Sequence, residues 1–216
     1  VLDSRLTVHR TAIVMIAYLV VHVCGNLTIF AGSDSFNYYA NLLESSTVMK
    51  YVEYYLLLAM VLHMGAAMYR SYTTRVFKGL TSKPTSVFKR LYLHTSGFLV
   101  LLFIAVHLYH FRLNPELDNY ATTAEGEEAG SDNTSIDFFK LTKELFADNV
   151  NVIIYLVGVN MVGFHLYYGW NKAVHKMELD TTHGKAQYLN PVRQLGVLLA
   201  VIITFGFVAC VIAAAM

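Results

Sequence analysis

Apolar positions in this chain gather into long runs rather than alternating with polar ones. Five runs, roughly 6–30, 48–72, 90–112, 150–173 and 193–215, are each long enough to cross a bilayer as a helix, since about 30 Å of hydrocarbon takes about 20 residues. Lipid gives the backbone no hydrogen-bond partners, so only helices or closed barrels span it. The period-two alternation of barrel strands is missing. The pattern predicts an all-α integral membrane fold, five transmembrane helices bundled in a single domain over 1–216. Two connecting segments carry their own periodicity. In "SDSFNYYANLLES", Phe36, Tyr39, Ala40 and Leu43 recur at i, i+3, i+4 and i+7, one face of a short helix, with Ser33 as a candidate N-cap. "SIDFFKLTKELFADN" reads as an amphipathic surface helix. The Gly-, Ser-, Glu- and Asn-rich stretch between helix III and that segment reads as a solvated loop.

Charge gives the bundle a direction. Arg70, Arg75, Lys78, Lys83, Lys89 and Arg90 follow one another with no acid between them, and Lys172, Lys176, Lys185 and Arg193 outweigh Glu178 and Asp180. The loop 113–149 is acidic ("PELDNYATTAEGEEAGSDN"). The positive-inside rule puts both basic loops and the N-terminus inside, with the C-terminus and the acidic loop outside. At 56% hydrophobic and 14% charged residues the chain is too apolar for a soluble domain, and its net charge of +1 selects no charged partner, nucleic acid included. Cys24 and Cys210 lie in apolar runs without C-x-x-C or C-x-x-C-H spacing, so no zinc site, disulfide framework or covalent heme attachment is signalled. The first apolar run is too long for the core of a signal peptide.

Four of the nine histidines lie well inside four different predicted helices: His22, His63, His107 and His165. One such histidine can simply hydrogen-bond across helices. Their depths point further. Helices I and III run outward and II and IV inward, and each histidine falls in the last third of its helix. His22 and His107 therefore share the outer leaflet, and His63 and His165 the inner one. Two imidazoles on opposing helices in a dry bundle suit the axial nitrogens of b-type heme iron, whereas zinc would want three or four ligands. Gly25, Gly65, Gly97 and Gly163 flank the ligands and could admit a macrocycle or simply a neighbouring helix. Arg70, Lys172 and Lys176 could hold inner propionates. A rival arrangement stacks His9 with His94 and His22 with His107 between helices I and III alone. The spacing of 13 within each helix turns those rings about 140° apart and leaves His63 and His165 unused.

"HVCGNLTIFAGSDSFNYYA" resembles the pattern H-x-x-G-N-L-x-x-F-x-G-x-x-x-F-N-x-Y-A of the single-chain, five-helix, diheme cytochrome b anchor of succinate:quinone oxidoreductases, the family of succinate dehydrogenases and fumarate reductases. "SGFLVLLFIAVHLYHF" and "YLVGVNMVGFHLYYGW" resemble its helices III and IV; helix V carries no distinctive motif. The resemblance implies axial ligation by His22 and His107 at a distal heme b, and by His63 and His165 at a proximal one. It implies flavoprotein and iron–sulfur partner subunits on the inner face, and menaquinone or ubiquinone as substrate. It further implies residence in a bacterial plasma membrane or, as the alternative, a mitochondrial inner membrane. Two departures stand out: Thr11-Ala12 replaces the frequent Thr-Gly or Ser-Gly, and helix IV has no carboxylate.

Electrons would then pass between the iron–sulfur clusters and the quinone by way of the hemes. No glycine-rich dinucleotide fingerprint occurs, so flavin and dicarboxylate belong to other chains. Quinone reduction takes up protons, which calls for polar groups near an interface. Glu53, Asn37, Tyr38, Tyr39 and Glu44 are candidates outside, and His94, Ser96 and Arg10 inside. Two other classes compete: a non-redox protein, such as a proton-linked transporter relaying through its histidines, and a structural anchor without hemes. The first calls for carboxylates deep in the bundle.

Overall fold

The computed structural model describes residues 4–78, 84–122, 135–176 and 190–216, without the side chains of Arg5, 74–78, 84–92 and 175–176. Arg75, Lys78, Lys83, Lys89, Arg90, Lys176, Glu178, Asp180, Lys185 and the acidic stretch 123–134 lie outside the residues or side chains so described. Seven α-helices follow one another: α1 (Ser4–Asn26), α2 (Ser33–Glu44), α3 (Thr47–Lys78), α4 (Pro84–Phe111), α5 (Phe138–Phe146), α6 (Asn149–Lys176) and α7 (Pro191–Ala215). Five of them, α1, α3, α4, α6 and α7, are long and apolar enough to cross a membrane. The described chain is all-α apart from a minimal antiparallel pair, β1 (Ala121–Thr122) with β2 (Ser135–Ile136), in register Ala121 to Ile136 and Thr122 to Ser135.

The helix ends differ from the apolar runs for local reasons. α1 stops at Asn26 rather than near 30 and passes into a 3-10 turn, Leu27–Ala31. Gly32 ends that turn at φ +98°, a conformation that L side chains rarely adopt. Gly32, not Ser33, occupies the N-cap of α2; the Ser33 hydroxyl donates to Asp34 instead. α4 and α7 start earlier than hydropathy suggests because a proline opens each, at Pro84 and Pro191. At α7 the Asn190 side-chain oxygen accepts from the Val192 and Arg193 amides, at 2.9 and 3.3 Å. Asp137 caps α5 by accepting from the Lys140 amide at 2.9 Å.

The spans pack as an open series, α3 on α1, α1 on α7, α7 on α6 and α6 on α4. No comparable backbone packing joins α1 to α4 or α3 to α6 among the described residues. In lipid there is no hydrophobic drive between helices, so close contact relies on small residues that let backbones approach. α7 meets its neighbours this way: Gly163 faces the Thr204 side chain, Gly196 faces the Trp170 ring, and Gly206 lies against Val23. The Trp170 indole also donates to the Val192 carbonyl at 2.8 Å, tying α6 to the start of α7. Val23, Leu166, Ala200 and Ile203 form the buried core between α1, α6 and α7.

One end of the bundle is capped. α2 and α5 pack together over it, burying Phe36 and Phe146 with Ile29, Tyr155, Cys210 and Val211. Asn37 and Asn41, one turn apart on α2, each mimic a peptide group toward the strand leading into α5. Asn41 accepts from the Ile136 amide and donates to the Ile136 carbonyl, both at 2.8 Å. Asn37 accepts from the Phe139 amide and donates to Asp137, also at 2.8 Å. The two amphipathic segments thus turn their apolar faces onto the protein.

Candidate functional site

Four imidazoles meet in two pairs within the spans. His22 of α1 faces His107 of α4 toward the capped end, with ring centroids 5.8 Å apart. His63 of α3 faces His165 of α6 toward the opposite end, with centroids 6.4 Å apart. Both pairs are crossed at 74° rather than stacked. Each pair bridges two helices that share no extensive backbone packing among the described residues. These are the pairings expected from depth. His9 lies within electrostatic reach of His63, and His94 within reach of His165.

The donor set can be tested against iron. A metal–imidazole bond is about 2 Å and a ring nitrogen sits about 1 Å from its centroid, so two imidazoles on opposite sides of one metal have centroids about 6 Å apart. Both pairs match that separation. Among the described residues no group of three or more His, Cys, Asp or Glu could hold a metal ion by itself. A two-nitrogen set matches a metal whose other ligands come with it, as in heme. Arg70 and Lys172 each lie seven residues past the histidine of their own helix, two turns further on and within about 20° of the same face.

The two pairs have different surroundings. Around His63 and His165 the contacts are polar. The Thr11 hydroxyl is 3.1 Å from His63 Nδ1, the Val8 carbonyl is also 3.1 Å from it, and the Ser96 hydroxyl is 3.2 Å from His165 Nδ1. Gly97 brings α4 close to this ring: a Cβ there would lie 3.1 Å from His165 Cε1. Around His22 and His107 the contacts are aromatic. Tyr18 stacks on His22 (5.3 Å, 13°) and Phe207 tilts against it, while Phe103, Phe111 and Tyr155 surround His107. His110, one turn on, pairs with the Tyr155 hydroxyl at 3.1 Å.

Only one of the four flanking glycines makes room beside a histidine. Gly97 does so; Gly25 accommodates the Tyr39 ring, Gly163 accommodates Thr204, and nothing lies within 4 Å of Gly65. The polar candidates also separate. An open groove of about 310 Å³ between α1, α2 and α3 reaches the His22 ring and is lined by Tyr18, Tyr39, Val52 and Tyr55. Of the five outer candidates only Tyr39 lines it. Tyr38 is exposed on α2, and Asn37 is engaged with the 136–139 segment. Glu44 and Glu53 share Arg112, at 2.7 and 3.1 Å. Partial burial pulls the Arg112 guanidinium down, but the two carboxylates more than offset it and hold its pKa above the usual value. Of the inner candidates, Ser96 is buried on His165, His94 is half-buried close by, and Arg10 is exposed.

Hydropathy did not mark Thr11, Tyr18 or Tyr155 as site residues. A signal for the first two existed. Thr11, Tyr18 and His22 are spaced 7 and 4 apart, which keeps them on one face of α1.

Compared with known proteins, the chain matches no family model, no curated protein and no solved structure at the level of a significant match. Fold and composition define it as an all-α protein with five apolar helices able to span a membrane.

Proposed function

We propose that this chain is the membrane-anchor cytochrome b subunit of a succinate:quinone oxidoreductase. In this reading it carries electrons between an iron–sulfur subunit and a membrane quinone by way of two bis-histidine b hemes. The observation that carries the proposal is the meeting of four histidines from four spans as two pairs at metal-sharing separation. The sequence pattern around His22 supplies the family.

Bound heme would supply the one-electron redox chemistry. His22 and His107 ligate at the capped, outer end, and His63 and His165 at the inner end. Thr11 lies beside His63, and His22 is eleven residues further along α1, so the two sites stand about 16 Å apart across the bundle. Tyr18, Phe103, Phe111, Tyr155 and Phe207 give the outer pair an aromatic shell. The groove at Tyr18, Tyr39 and His22 is the cavity in reach of a quinone head group on the outer side. The basic inner loops would receive the flavoprotein and iron–sulfur chains, in a bacterial plasma membrane. The histidine-relay alternative gains nothing from the geometry. Glu53 is held by Arg112 toward the capped end, and no carboxylate adjoins either histidine pair among the described residues.

Affinity purification of the tagged chain from its native membrane tests the assembly. It is expected to bring down a covalent or tight flavin, iron–sulfur clusters and succinate-dependent quinone reduction or quinol-dependent fumarate reduction. Recovery of the chain with heme but without flavin or iron–sulfur partners would reject the family assignment.

A further inference from the structure

We propose that Thr11 and Ser96 are positioning residues for the His63–His165 pair, fixing both rings as Nδ1–H tautomers so that Nε2 is the ligand nitrogen. This rests on the diheme reading. The Thr11 hydroxyl has one proton and two carbonyls of its own helix in reach, Thr7 at 2.7 Å and Val8 at 3.1 Å. With that proton given to the backbone, its oxygen can only accept from His63 Nδ1. The Val8 carbonyl meets the same nitrogen at 3.1 Å and can only accept as well. Two acceptors on Nδ1 require the proton there and leave the Nε2 lone pair free. Ser96 repeats the device: its hydroxyl donates to the Leu93 carbonyl at 3.1 Å, and its oxygen accepts from His165 Nδ1 at 3.2 Å. Both residues are buried, at 9% and 4% exposure, so water does not compete.

The device is built the same way twice. In each case the hydroxyl comes from the helix packed beside the one that carries the ring, α1 for α3 and α4 for α6. Thr11 stands eleven residues before His22, and Ser96 eleven before His107. Eleven residues are three turns plus about 20°, or about 16 Å. One face of α1, and likewise of α4, therefore presents a ligand at one depth and an orienting hydroxyl at the other. The outer pair lacks this arrangement. His22 Nδ1 has an amide nitrogen, Asn26 Nδ2, at 3.4 Å, and that amide also donates to the His22 carbonyl at 2.9 Å. His107 has aromatic neighbours and no hydrogen-bond partner among the described residues. A ligating imidazole that donates its second N–H is a more basic ligand and favours the oxidised metal.

The test uses the full chain in membranes, with Thr11→Val and Ser96→Ala made singly and together, and Thr11→Ser and Ser96→Thr as hydroxyl-retaining controls. Heme per chain, low-temperature spectra and the midpoint of each b heme are measured. The double variant is expected to shift one heme toward the reduced form by about tenfold, a rise of about 59 mV for one electron, or to lose that heme 10- to 100-fold more readily. The other heme keeps its midpoint, and the hydroxyl-retaining variants match the unaltered protein. Unchanged midpoints with both hemes retained overturn the proposal. So do equal shifts in both hemes, or controls as damaged as the deletions. Absence of b heme from the unaltered protein rejects the diheme reading itself, and this proposal with it.

Discussion

Gly97→Ala is a one-methyl perturbation aimed at a single histidine. The added Cβ would lie 3.1 Å from His165 Cε1, 3.5 Å from Nδ1 and 3.9 Å from Nε2. Ordinary carbon contacts fall near 3.5–4.0 Å, so the ring must retreat by a few tenths of an ångström. It has little freedom to do so, because Ser96 holds Nδ1 at 3.2 Å and His63 faces the ring at 6.4 Å between centroids. Overpacking of this kind costs about 1–3 kcal/mol. At about 1.4 kcal/mol per factor of ten, the His63–His165 site should hold heme roughly 5- to 150-fold more weakly. Pyridine hemochrome content per chain, followed during challenge with apomyoglobin as a heme acceptor, reads the effect. If Gly97→Ala keeps both hemes as firmly as the unaltered protein does, the packing of α4 against His165 is wrong.

Other perturbations separate the remaining parts. Asn41→Ala removes the acceptor of the Ile136 amide; at about 0.5–1.5 kcal/mol per hydrogen bond, that amide should exchange several-fold faster by hydrogen–deuterium mass spectrometry. Arg112→Gln unties Glu44 and Glu53, but these side chains are 34–46% exposed. The cost should therefore stay near 1 kcal/mol or below and shrink as salt is raised in detergent melts. Tyr120, outside the spans, has its phenol pKa raised by its hydrogen bond to Glu144, then by burial and nearby acids. Its contribution is present below the ordinary tyrosine pKa of about 10 and disappears as pH climbs through the raised value. Tyr120→Phe should abolish that alkaline transition in an ultraviolet phenolate titration.

The five spans were legible because hydrocarbon thickness imposes a length that few soluble helices share. The histidine pairing was legible because helix direction converts sequence position into depth. Helix ends were less so: Gly32 displaces Ser33 as a cap through its backbone conformation, and Pro84 and Pro191 extend helices beyond the apolar runs. The glycines left their occupant open, because a small residue permits approach without naming what approaches. Tyr39 fills the notch at Gly25 and Thr204 the one at Gly163. Asn37 and Glu53 read equally well as ligand groups or as structural ones, since their partners, 136–139 and Arg112, are distant in sequence. Thr11 and Ser96 share a spacing of eleven to His22 and His107, a signal carried by helical phase rather than by depth.

The central claim is that four histidines from four spans hold two b hemes. A dithionite-reduced minus oxidised spectrum with heme quantified per chain, run on the unaltered protein and on His63→Leu and His107→Leu, tests it most directly. The expected result is two b hemes per chain in the unaltered protein and one in each variant, the survivors differing in α-band position or midpoint. A spectrum without a b-type α band, or variants that both retain two hemes, would contradict it.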